Sequence, residues 1–94
     1  MQVLQIKTVE DCFDGSFIKE FELCDKISED FIRKLGKGSF FEYFPDFPRP
    51  FFRIENKNIY QIKGVIGNHT MRVIFSRNCS SNCVDDLVTV INNL

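Results

Sequence analysis

Several residue types that carry chemistry are scarce in this chain, and their scarcity narrows the functions it can have. The 94 residues include no tryptophan and a single histidine, His69. Histidine is the side chain that titrates near neutral pH without perturbation, and no neighbouring carboxylate in the sequence orients His69 as a base. The GxGxxG, Walker and HExxH motifs are also absent from the sequence. The sequence therefore leans away from an enzyme, and we predict neither catalytic residues nor a cofactor.

Long apolar runs are missing as well. No stretch approaches the roughly 20 apolar residues that cross a bilayer, and the start of the chain, MQVLQIKTVED, lacks the apolar core of a signal peptide. The composition, 44% hydrophobic and 27% charged, is that of an ordinary globular protein. We expect a single domain over residues 1–94, cytoplasmic, with no membrane partner.

Prolines are few and confined to one place. All three lie within residues 40–52, FFEYFPDFPRPFF, which also hold six of the eleven phenylalanines and one tyrosine. Proline fixes φ at about −65° and removes a backbone donor, so this aromatic-proline segment is neither one helix nor one central strand. We predict an edge, a corner or a rigid loop that carries aromatic rings.

Alternating apolar and polar residues predict strands on either side of this segment. Leu4 and Ile6 form the apolar side of the first strand, and Asp14-Gly15 marks the turn to the second. Another turn is expected around residues 56–58. The strand candidates are residues 3–8, 17–23, 51–55, 59–66 and 71–75.

Two helices are predicted. Ser28 suits the N-cap of a short helix near 29–36, with Ile27 and Ile32 in the positions of a hydrophobic staple. Apolar residues at helical spacing predict an amphipathic C-terminal helix near 82–93. The predicted fold is therefore α+β, a two-layer sandwich of two helices and a mostly antiparallel sheet of about five or six strands.

The aromatic-proline segment is the leading functional candidate. Most of its rings are expected to fill the core of a small domain without tryptophan, but seven rings are many for one side of a sheet. Rigid exposed aromatics and arginines are typical of binding hot spots. We predict a non-catalytic module that binds a protein partner, or a second copy of itself, through Phe44, Phe47, Arg49, Phe51, Phe52 and Arg53.

Charge distribution supports an alternative. Residues 1–30 carry a charge of −5 and residues 31–80 a charge of +6, although the whole chain is near neutral at −1. Cations that share the sheet face opposite the core can meet phosphates while nearby rings stack on unpaired bases. The alternative is single-stranded nucleic-acid binding through Lys7, Arg53, Lys63 and Arg72. A solvated sheet face with no ligand explains the same charges.

The four cysteines support a third hypothesis for the function. Only Cys79 and Cys83 are close enough in sequence to resemble half of a metal site. Cys83 falls in the first turn of the predicted C-terminal helix, a position that lowers thiol pKa values. The alternative is a thiol or metal site at Cys79 and Cys83, against the simpler expectation of ordinary reduced thiols.

Overall fold

In the computed structural model, which describes residues 1–57 and 59–94, one antiparallel sheet is covered on a single face by two helices. The α+β two-layer sandwich is therefore confirmed. The strands are β1 (Val3–Asp11), β2 (Phe17–Leu23), β3 (Phe40–Phe44), β4 (Phe51–Asn56), β5 (Tyr60–Val65) and β6 (Thr70–Phe75). The helices are α1 (Glu29–Leu35) and α2 (Ser81–Asn92).

The order of strands across the sheet is β1-β2-β6-β5-β4-β3. Strands β3 to β6 form a meander, and the β1–β2 hairpin adds to it along β6. The pairing of β2 with β6 joins parts of the chain that are far apart in sequence. As a result β1 and β3 are the two edges of the sheet.

The core lies between the sheet and the helices. Phe21, Phe52 and Phe75 are its largest members from the sheet, and each is fully buried. Ile32 of α1 and Ile91 of α2 pack into the same cluster. Over the described residues no polar or charged side chain is buried, so hydrophobic burial is the main source of stability.

Helix α1 begins at the predicted residue 29, and α2 begins one residue before the predicted 82. The Ser28 hydroxyl accepts a hydrogen bond from the Phe31 backbone N–H at 3.1 Å, and the Ser80 hydroxyl accepts one from Asn82 N–H at 3.3 Å. These bonds satisfy backbone donors that have no partner inside the helix. Within the described residues neither helix is long and apolar enough to cross a lipid bilayer.

Strand β1 corrects one expectation. Leu4 was expected beside Ile6 on the core face, but its side chain is 63% exposed. A register shift between Val3 and Gln5 inserts Leu4 as an extra residue, and a second shift between Thr8 and Glu10 does the same for Val9. Each bulge reverses the alternation of faces, so Val3 and Ile6 face the core and the two bulge residues are solvent-exposed.

The aromatic-proline segment divides into two strands and a loop. Residues 40–44 form the edge strand β3, which pairs with β4 in the register Phe40↔Glu55 to Phe44↔Phe51. The prolines occupy the connecting loop at residues 45–50, where missing backbone donors cost no ladder hydrogen bond. The turn predicted around residues 56–58 includes Asn58, which lies outside the described residues.

Candidate binding face of the sheet

The face of the sheet opposite the helices carries a transverse row of six charged residues. Cross-strand pairing places Glu42 beside Arg53, Arg53 beside Lys63, and Lys63 beside Arg72. The row continues from Arg72 to Glu20 on β2 and from Glu20 to Lys7 on β1. We call this the charged row, and the face that bears it the open face. In the residues that the structure covers, neither helix packs on this face.

Each of the two arginines in the charged row has a carboxylate partner. Arg53 forms a close ion pair with Glu42, and Arg72 Nε lies 3.6 Å from Glu20 Oε2. Lys63 stands between the two arginines and is exposed. No carboxylate of the described residues comes within 4.0 Å of its Nζ, whereas cations flank it on both sides.

An aromatic cluster adjoins the charged row at the end of β3 and β4. The rings of Phe44 and Phe51 stack with centroids 4.6 Å apart. Phe47, in the proline loop, lies 5.1 Å from Phe51 and 6.1 Å from Phe44. Phe47 is 53% exposed, and the other two rings are half-buried. The cluster is therefore an apolar surface of mutually packed rings that solvent reaches.

The aromatic cluster and the charged row border one groove of about 750 Å³. Its floor includes Arg53, Lys63 and Arg72. Its apolar walls come from Phe44, Phe51 and Val65 on one side of the charged row and from Ile18 and Ile74 on the other. Pockets that bind ligands combine apolar walls with a few placed polar groups, and this groove has that composition.

The predicted site residues are distributed unequally between this face and the rest of the molecule. Phe44, Phe51 and Arg53 line the groove, and the exposed ring of Phe47 joins them. Arg49 is exposed in the proline loop. Phe52 is fully buried on the core face, because it directly follows Phe51 in a strand and must point to the opposite side. It is unavailable to a partner.

The four cations of the nucleic-acid alternative lie in one row. Lys7, Lys63 and Arg72 lie with Arg53 on the open face. Sequence reasoning did not find Glu20 and Glu42, which pair with two of these cations. Glu42 could have been found from the sequence, because it lies two residues before Phe44 and alternate residues of a strand share one face. The contact of Glu20 depends on the β2–β6 pairing, for which the sequence has no local signal.

The two cysteines of the thiol or metal alternative, Cys79 and Cys83, are close together but form no disulfide in the described structure. The Cys79 thiol donates a hydrogen bond to the Ile59 carbonyl oxygen at 3.1 Å. Burial raises the pKa of the Cys79 thiol, and a hydrogen bond with Cys83 raises that pKa further. A raised pKa disfavours the thiolate that attacks substrates or binds metals.

In the described part of the chain no third metal ligand joins these thiols. Within residues 1–57 and 59–94 the structure contains no group of three or more His, Cys, Asp or Glu side chains that could hold a metal ion. Structural zinc sites take four ligands. The pair, at the start of α2, supplies two of those four ligands.

Comparison of the chain with known protein families, with curated proteins and with solved structures gave no match.

Proposed function

We propose that this chain is a non-catalytic binding module that holds a protein partner on the open face of its sheet. The observation that carries the proposal is that the aromatic cluster and the charged row border the same groove. The partner is either a different protein or a second copy of the chain.

The aromatic cluster supplies the anchor. Phe44, Phe47 and Phe51 hold one another in place through contacts between ring centroids of 4.6–6.1 Å. Rings that are already ordered lose little conformational entropy when a partner covers them. Fully desolvated aromatic side chains at the centre of an interface contribute most of the binding energy in protein complexes.

The charge balance of the open face favours a protein over a polyanion. The register places four cations on this face, Lys7, Arg53, Lys63 and Arg72. It also places five carboxylates there, Glu10, Glu20, Glu22, Glu42 and Glu55. Four positive and five negative groups give a net charge of −1. Nucleic-acid sites are strongly positive, whereas mixed charges around an aromatic centre are typical of protein interfaces.

Single-stranded nucleic acid is the second candidate, because one observation favours it. Arg53, Lys63 and Arg72 occupy consecutive strands, and Phe51 is near enough to line the same groove. Such an arrangement can hold a phosphate while a base stacks on a ring. Binding of an oligothymidylate that weakens steeply with salt and is lost in Lys63→Glu would favour this candidate.

The proposed function is tested by comparing what four proteins capture from an extract of the cells that make the chain. They are the wild type, Phe47→Ala, Lys63→Glu and the control Phe13→Ala. Phe13 is fully exposed in the β1–β2 turn, and it does not line the groove. Loss of more than 1 kcal/mol of binding energy at a hot spot corresponds to at least about a fivefold loss of captured partner.

We expect that loss for Phe47→Ala and Lys63→Glu, with Phe13→Ala behaving as the wild type. Sedimentation of the wild type and Phe47→Ala over a range of concentrations tests the case in which the partner is a second copy. Equal capture by all four proteins, together with no self-association that depends on Phe47, would count against the open face as the site.

A further inference from the structure

The cations of the charged row differ in what neutralises them. Glu42 pairs with Arg53 and Glu20 with Arg72, so each arginine is already compensated from its outer side. Lys63 has no such carboxylate among the described residues, and both of its cross-strand neighbours are positive. The field of three adjacent cations is therefore strongest over Lys63, at the centre of the row.

The length of this positive stretch limits the anion that it accepts. Neighbouring strands lie about 4.8 Å apart, so three adjacent cations span roughly 10 Å. Glu42 and Glu20 close the stretch at its two ends. A single carboxylate over Lys63 is attracted by all three cations, whereas further carboxylates along the row would meet the two glutamates and be repelled.

Apolar residues flank Lys63 along the strand direction. Val65 lies two residues after Lys63 on the same face of β5, and Phe51 lies opposite Val65 on β4. In the other direction Ile74 lies two residues beyond Arg72 on β6, with Ile18 opposite it on β2. Val65 therefore lies one step of two residues from Lys63 along β5, about 6.6 Å, whereas Ile74 lies the same step away in the other direction but one strand over, at about 8 Å.

We propose that the groove binds an extended segment of the partner with one acidic residue at its centre and apolar residues two positions before and after it. This inference rests on the proposed function and specifies its partner. In an extended chain alternate side chains point to the same side at a spacing of about 6.6–6.8 Å, so a segment that crosses the strands obliquely, from Val65 toward Ile74, places its central side chain over Lys63. The acidic side chain lies over Lys63, one apolar side chain contacts Phe51 and Val65, and the other contacts Ile18 and Ile74.

The test uses a displayed library of linear peptides with seven randomised positions, selected on the wild-type chain and separately on Lys63→Glu. Lys63 is exposed, so its replacement leaves the core intact, and a melting curve verifies folding before selection. The wild type is expected to enrich apolar-x-acidic-x-apolar sequences, and Lys63→Glu is expected to lose the acidic preference. Changing the central Asp of a selected peptide to Asn should weaken its binding to the wild type by about tenfold, because a charge-assisted contact is lost.

The outcomes separate this inference from the proposed function. Peptides that require Phe47 but show no acidic preference, or the same preference on Lys63→Glu, overturn the inference and leave the open face as a protein-binding site. Failure to enrich any peptide whose binding depends on Phe47 or Lys63 overturns the inference and also counts against the proposed function. Binding of oligothymidylate that is abolished by Lys63→Glu, without peptide enrichment, assigns the face to nucleic acid instead.

Discussion

Lys63 lies directly opposite Arg72 in the ladder between β5 and β6, and it has Arg53 opposite it on its other side. Like charges in directly opposed positions destabilise a sheet, whereas opposite charges stabilise it by about 0.2–1 kcal/mol per pair. We therefore expect Lys63→Glu to raise the free energy of unfolding by up to about 1 kcal/mol, discounted for the exposure of these side chains. Urea titrations measure the change. Lys63→Gln, which removes the repulsion without adding attraction, should lie between the wild type and Lys63→Glu, and a loss of stability in both variants would show that repulsion is not the dominant effect.

Phe47 and Phe52 are close in sequence but should respond differently to truncation. Phe52 is fully buried, whereas Phe47 is 53% exposed. Phe52→Ala should lower the free energy of unfolding by about 3–5 kcal/mol, since it leaves a cavity in the core. Phe47→Ala should lower it by less than about 1 kcal/mol. Chemical denaturation of the two variants checks this contrast, and similar losses in both would mean that the loop ring also supports the fold.

Gly64 should not tolerate a side chain while Phe52 is present. A Cβ at position 64 would lie 2.8 Å and 2.9 Å from Cε1 and Cζ of the Phe52 ring. Replacing glycine in a strand normally gains about 0.5–1 kcal/mol, but overpacking a core costs about 1–3 kcal/mol. Gly64→Ala is therefore expected to destabilise the protein, by thermal or urea unfolding.

Phe52→Leu provides the control for that contact, because leucine lacks the two ring atoms concerned. The loss caused by Gly64→Ala should be smaller in the Phe52→Leu background than in the wild type. Equal losses in the two backgrounds would assign the effect to some other cause.

The thiols should differ in their rate of alkylation. Burial and the hydrogen bond with Cys83 raise the pKa of Cys79 above its ordinary value, so at pH 7.5 it carries less of the reactive thiolate. Cys24 is exposed. Iodoacetamide should modify Cys24 before Cys79, and the rate at Cys79 should keep rising as the pH increases toward its raised pKa. Peptide mapping by mass spectrometry measures both rates. Faster modification of Cys79 would revive the reactive-thiol alternative.

Local signals in the sequence predicted those helices and strands in which apolar residues recur at a regular spacing. Ser28 and the staple positions of Ile27 and Ile32 predicted α1, and both isoleucine side chains are buried. The alternation within residues 71–75 likewise predicted β6, in which Met71 and Val73 are buried. In each case the pattern is contained within one element, so no knowledge of its neighbours is needed.

The remaining features depend on contacts between distant segments. Leu4 was predicted on the wrong face because a bulge is a property of strand pairing and leaves no mark in the alternation itself. The ion pair of Glu20 with Arg72 arises because β2 pairs with β6. The groove follows from the same pairing, since it brings Ile18 beside Ile74. The sequence therefore predicted that the four cations share one face, but not that carboxylates pair with two of them.

The bulges at Leu4 and Val9 also affect how the chain behaves at high concentration. An edge strand in regular register offers unpaired N–H and C=O groups on which another chain can grow, and such growth leads to fibrils. Between its two bulges β1 keeps a regular register only from Gln5 to Thr8, and on the opposite edge β3 is only five residues long before the proline loop. Neither edge offers a long regular template for recruiting an incoming strand. We expect the folded chain not to form fibrils when concentrated, because Leu4 and Val9, the two most exposed aliphatic residues of β1, lie on bulges that interrupt this edge.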